Sequence, residues 1–217
     1  MSSQIFDTLL SFITQDERFC SEMVAAKKEF ELTCGQIFET DRSYDARINA
    51  FHNWYILDRP LTARGLTPLQ YFVEYNANSF VPDELEGFRR LGEQIHSVFE
   101  VVRLGRGGAT VRDLIQRKKY SLAEISTLAG LERGSIFNTR IFPNGEGQEI
   151  SNYLILHPDS VAKRIKAEAK RVGKAGPDAR AFLFRLLFFQ SRWEQYPQMD
   201  VKNIYRFDVP ENGRKPL

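Results

Sequence analysis

Apolar residues recur every three or four positions through the first hundred residues. Ile5, Leu9, Phe12 and Ile13 mark one amphipathic helix. Phe19, Met23, Phe30 and Leu32 or Cys34 mark a second, which Asp16 can cap and Gly35 can stop. Ser43 is placed to cap a third helix carrying Ile48, Phe51, Trp54 or Tyr55, and Leu57. Asp58-Arg59-Pro60 ends it, because the residue before proline resists the helical region. Thr67-Pro68 is a start signal for a helix with Leu69, Phe72 and Val73 inward. Pro82 opens another, with Leu85, Phe88, Leu91 and Ile95 at helical spacing.

The period then changes. Ser97 to Leu104 is rich in β-branched and aromatic residues, Gly105 to Gly108 is a turn, and Ala109 to Ile115 is strand-like. Arg117 to Lys119 is a second turn before an alternating stretch from Lys119 to Ile125. Ser135 to Phe142 and Glu149 to Leu156 flank the hairpin turn Pro143 to Gly147. Short strands at this spacing predict a small antiparallel barrel of about five strands, which closes the edges a flat sheet would expose.

Helical spacing returns after His157-Pro158. Val161, Ile165, Ala169 and Val172 form one face, Gly173 to Gly176 breaks the helix, and Pro177 opens a last one. That last helix is apolar most of the way round (Ala181, Phe182, Leu183, Leu186, Leu187, Phe189) and is expected to be buried against the N-terminal helices. Asn203 to Phe207 is read as a short strand. The fold class is therefore α+β: N-terminal helices over 1–96, a small β-barrel over 97–157, and C-terminal helices over 158–217 that pack back on the first part.

A chain of 217 residues with a 42% apolar share can bury such cores. No run approaches eighteen uncharged apolar residues, and the N-terminal stretch lacks a basic region and a cleavage site, so a cytoplasmic protein without a membrane span is expected. Two cysteines, Cys20 and Cys34, exclude a disulfide framework and a cysteine zinc cluster. No metal and no cofactor are expected.

The net charge of +2 is small, but its distribution is uneven. From Pro158 onward thirteen Lys/Arg stand against seven Asp/Glu, densest at Lys163, Arg164, Lys166, Lys170, Arg171 and Lys174. In the β segment, Arg103, Arg106, Arg112, Lys118, Lys119, Arg133 and Arg140 are the candidate binding residues, with Arg117 beside them. Tyr120, Phe137, Phe142 and Tyr153 are interleaved. Cations beside rings on a small barrel are the components of a single-strand nucleic-acid site; the opposing reading puts the rings in the core and the cations outside.

Catalytic side chains are scarce. Of the three histidines, His52 lies on a predicted helix near Asp58, which only a bend at Pro60 would bring to it; His96 and His157 bracket the barrel. Gly105-Arg106-Gly107-Gly108 lacks a following helix N-terminus and reads as a hairpin turn rather than a phosphate loop. Glu124, Ser126, Gly130 and Gly134 only loosely follow the turn of cyclic-dinucleotide barrels of the PilZ type, with Arg103 and Arg106 as the nearest substitutes for that family's paired arginines.

The strings Phe51 to Leu61, Gly65 to Pro68, His96 to Val101 and Gly134 to Phe137 with Arg140 resemble an uncharacterised bacterial family. That family is similar to the helical-plus-barrel region found beside SEC-C zinc modules. The resemblance implies an architecture and a bacterial cytoplasm, and the zinc motif is absent from this chain. The expected role is non-enzymatic: a binding or adaptor protein for a protein partner through the basic barrel surface. The alternatives are single-strand nucleic-acid binding by the same cations, a PilZ-like nucleotide sensor, and an enzyme using His52 with Asp58 or a cysteine.

Overall fold

A computed structural model describes residues 2–208 apart from 106, 124–127, 129, 146 and 177–178. The N-terminal part is five helices: α1 (Ser2–Gln15), α2 (Glu17–Cys34), α3 (Tyr44–Leu57), α4 (Pro68–Tyr75) and α5 (Pro82–Leu91). Six strands follow: β1 (Ile95–Gly105), β2 (Gly108–Asp113), β3 (Lys119–Leu122), β4 (Ile136–Asn144), β5 (Gly147–Ile150) and β6 (Ile155–His157). Three helices complete the fold: α6 (Ala162–Ala175), α7 (Arg180–Gln195) and α8 (Val201–Ile204).

The strands run β1-β2-β3-β5-β4, and β4 returns to β1, closing a five-stranded barrel with β6 added beside β4. Strand β1 serves two neighbours. Its first half pairs with β4, from Ile95 opposite Ile141 to Glu100 opposite Ile136. From Phe99 on, its other edge pairs with β2, so Phe99 and Glu100 pair on both sides, and a register shift between Val101 and Arg103 bends the strand beyond that overlap. The barrel is mixed rather than wholly antiparallel, since β3 and β5 meet in parallel at Leu122 and Gln148.

Three apolar clusters hold the molecule. Phe99, Val101, Ala109, Val111, Leu122, Phe137 and Ile141, from alternate strand positions, fill the barrel together with Leu128 of the β3–β4 connection. A second cluster joins the helices of the N-terminal part to Phe142, Tyr153 and Ile155 of the barrel region and to Phe184 and Leu187 of α7. The third lies between the barrel's outer face (Val98, Leu114, Ile136) and the C-terminal helices with their flanking residues (Val161 just before α6, Ile165, Ala169, Leu183, Leu186, Phe189, and Tyr205 just after α8). Helix α7 thus contributes to two cores, which explains why its apolar residues lie on more than one side; Phe184 meets Phe30 edge-on at 5.7 Å between centroids. Of the C-terminal helices it is α7 that returns to the N-terminal part, while α6 and α8 pack on the barrel side.

Local signals act largely as the sequence implies. Thr67 accepts from the Gln70 N–H, and the Gln70 side chain accepts from the Thr67 N–H, forming a capping box. Gly35 ends α2 with φ +87°. Five details differ. Ile95 opens β1 instead of closing a helix, because α5 stops at Gly92 and the β-branched side chain pairs across to Ile141. The expected last strand splits into β5 and β6 around Ser151–Leu154. The Ser43 hydroxyl leaves its own helix uncapped and donates to Glu194 on α7 at 2.6 Å. Helix α6 runs through Gly173 to Ala175, and Asn203–Phe207 forms no strand but follows from α8. Pro177 lies outside the described residues.

Candidate functional site

The outer face of β1, β2 and β3 carries three of the expected binding cations, Arg103, Arg112 and Lys119. Cross-strand register puts Glu100 of β1 opposite Arg112 of β2, and Arg112 opposite Lys119 of β3, so the three form one row across the sheet. Arg103 stands opposite Thr110 just beyond the bulge. Lys118 and Arg117 sit in the connection from β2 to β3, where Arg117 adopts φ +64°. Asp113 organises that connection: its buried carboxylate accepts from Ser97 Oγ and from the N–H groups of Ile115 and Gln116, all at 2.8–2.9 Å. Arg103, Arg117, Lys118 and Lys119 are exposed, Arg112 is half-buried, and none of them forms an ion pair among the described residues. Arg133 is exposed at the entry to β4, and Arg106 lies outside the described residues.

Helix α6 borders this face. Lys166 Nζ pairs with Glu100 at 2.8 Å. At the far end of the helix, Gly173 lies so close to the β2–β3 connection that a Cβ there would stand 2.4 Å from the Ile115 carbonyl oxygen. Lys163, Lys170 and Lys174 share the flank that Lys166 occupies, follow it along the helix at turn spacing, and are exposed.

Arg140 is different. It is fully buried, and its guanidinium forms a two-pronged ion pair with Asp58 at the C-terminal end of α3, with Nη1 to Oδ1 at 3.1 Å. Burial works against the charged carboxyl of Asp58, but the Arg140 guanidinium outweighs it and holds the carboxyl below its usual range. Arg140 is thus removed from the surface set and joins the barrel to the helical part. Nearby, the Asn138 amide nitrogen donates to the Leu183 carbonyl, so its oxygen receives the proton on His96 Nε2 at 3.1 Å. Asp58 therefore serves Arg140, not His52. The His52 ring has a pKa pushed down to about 4 by burial, and no carboxylate perturbs it.

The other reactive side chains have structural surroundings. His157 Nδ1 hydrogen-bonds the Tyr205 hydroxyl at 2.9 Å inside the third core. Cys34 is buried, its thiol pKa raised by burial, and Cys20 is exposed; neither is in a disulfide. The rings interleaved with the cations are mostly interior: Phe137, Phe142 and Tyr153 are buried, and Tyr120 is half-buried, edge-on to Phe99. The turn that loosely follows PilZ barrels falls largely on residues 124–127, outside the described residues. No group of three or more metal-ligating side chains occurs among the described residues, and no described helix is long and apolar enough to cross a membrane.

Two relationships escape sequence reasoning. Arg140 lies 82 positions from Asp58, and the sequence marks Asp58 as a helix stop and a candidate partner of His52, not of a strand residue. A cation in a strand with apolar neighbours on both faces is the available sign that a buried acid must meet it. The continuity of α6 with the barrel row has no sequence signal, because it depends on how the helix docks. Comparison with known proteins finds no matching family model, curated protein or solved structure.

Proposed function

We propose that this chain is a non-enzymatic binding protein whose barrel presents the outer face of β1, β2 and β3 to an anionic partner. One observation carries the reading: Arg103, Arg112 and Lys119 gather on one face, with Lys118 beside them in the β2–β3 connection, all without ion pairs among the described residues, although the chain as a whole is only +2. Local charge of this kind raises the encounter rate with an opposite charge more than net charge does. The histidines support the same reading, since their ring contacts and burial serve packing. An acidic protein surface, as in an adaptor of a bacterial cytoplasm, is one occupant that fits.

A second occupant is a nucleic acid. In five-stranded barrels the outer face of the second and third strands is a recurrent place to hold oligonucleotides, which is an analogy of architecture and not of chemistry.

The test is salt elution from immobilised heparin. Wild-type protein is expected to be retained, and the variant with Arg103, Arg112, Lys118 and Lys119 changed to alanine to elute at clearly lower salt. A control variant lacking Lys27, Lys28, Arg42 and Arg89 on the helical part should elute near wild type. Equal drops in both variants would remove the barrel face as the binding surface.

A further inference from the structure

We infer that the barrel face and helix α6 form one continuous cationic track for the phosphodiester backbone of a nucleic acid, with Glu100 as the acidic break at its centre. This rests on the proposed barrel surface and adds both a second element and the chemistry of its occupant. The row Lys119, Arg112, Glu100 runs across β3, β2 and β1 in direct register. Glu100 then meets Lys166 at 2.8 Å, so the row passes from the sheet onto α6 without a gap. From Lys166 the flank carries Lys163 toward one end of the helix and Lys170 and Lys174 toward the other. The close approach of Gly173 to Ile115 fixes that second end beside Arg117 and Lys118. The cations therefore border Glu100 on both sides and close up again at the β2–β3 connection.

The acids of this region already have partners. Glu168 pairs with Arg171 on the other side of α6, and Glu100 with Lys166. Lys163, Lys170, Lys174, Arg112, Arg117, Lys118 and Lys119 have no ion pair among the described residues. A helix of fourteen residues is about 21 Å long at helical rise, and the sheet row extends the track sideways from it. An extended polyanion fits such a track better than a single phosphate does. The rings of the barrel region are buried in its interior or against the helical part, with only Tyr120 half-buried, so a base-stacking platform is missing beside these cations among the described residues. The chemistry left is contact with phosphates, which is independent of base sequence and favours the denser phosphates of a duplex over a single strand.

The test is fluorescence anisotropy with a labelled 30-base-pair DNA duplex, the same-length oligothymidylate and unlabelled polyglutamate as competitor, each over a salt series. Wild-type protein is expected to bind the duplex more tightly than the single strand and to resist polyglutamate. Lys170→Ala with Lys174→Ala should flatten the log–log salt slope by about 1.8 on the duplex, about 0.9 for each phosphate no longer neutralised. Glu100→Gln should tighten binding severalfold and steepen the slope, since it frees Lys166 for a phosphate. Lys170 and Lys174 are exposed and Glu100 is half-buried, so the melting curve of each variant serves as the fold control. The continuous track is overturned if the duplex binds but the α6 pair and Glu100→Gln leave affinity and slope unchanged, while replacing Arg112 and Lys119 by alanine weakens it; the barrel surface would then stand alone. Preference for the single strand, or equal displacement by polyglutamate, overturns the assignment of a phosphodiester backbone. No binding of any polyanion by wild-type protein overturns the barrel reading itself.

Discussion

Arg140 on β4 and Asp58 at the end of α3 form the ion pair that ties the barrel to the helical part, and the guanidinium is fully buried. Removing one partner of such a pair leaves the other charge stranded away from water. Arg140→Met or Asp58→Asn should each cost about 3–5 kcal/mol in urea unfolding, whereas a double replacement by apolar residues should cost less than the sum. A simple sum would show the two residues acting independently. The Asp58 carboxyl, held below its usual value, stabilises the fold above about pH 4; that contribution is lost as pH falls through the lowered folded value.

The histidines act in a higher pH window. His157 and His96 have pKa values pushed down to about 3 and His52 to about 4, in each case first by burial. A histidine in the unfolded chain takes its proton near pH 6.5, so below that pH the unfolded state binds more protons than the folded one. Stability is therefore full above about pH 6.5 and falls as pH drops toward the folded values. His157 alone should remove on the order of 2 kcal/mol by pH 5. Its Nε2 is buried without a partner among the described residues, so a second proton there has no acceptor. Urea midpoints at pH 7.5 and 5 check this, and His157→Gln should flatten the dependence. An unchanged midpoint between these pH values would contradict the burial of the rings.

Gly173 makes a prediction of unusual sign. In an exposed helix interior, glycine to alanine commonly stabilises by about 1 kcal/mol. Here the added methyl would meet the Ile115 carbonyl oxygen at 2.4 Å, so Gly173→Ala should destabilise by about 1–3 kcal/mol or push α6 away from the barrel. Thermal unfolding of this variant beside Ala167→Gly on the exposed side separates close packing from helix propensity.

Much of the architecture is legible in the sequence because local and tertiary preferences agree. Thr67-Pro68 starts a helix by capping chemistry that needs nothing distant, and the alternation in Ala109 to Asp113 already sorts Val111 inward and Arg112 outward. The switch of Ile95 from helix to strand is not legible, because its spacing from Leu91 suits a helix and only pairing with Ile141 decides otherwise. The same holds for the parallel contact of β3 with β5, which depends on barrel closure. Among the candidate cations, Arg112 and Lys119 fall on the outer face as alternation implies. Arg140 does not, because β4 is covered on both faces, by barrel interior on one and helices on the other, so alternation ceases to mean exposure.

The most direct measurement of the cationic track is lysine acetylation footprinting by mass spectrometry with and without the DNA duplex. Protection confined to Lys118, Lys119, Lys163, Lys170 and Lys174, with Lys27, Lys28 and Lys202 as reactive as in the free protein, is the expected result. Uniform protection, or protection centred on Lys27, Lys28 or Lys202, would contradict it.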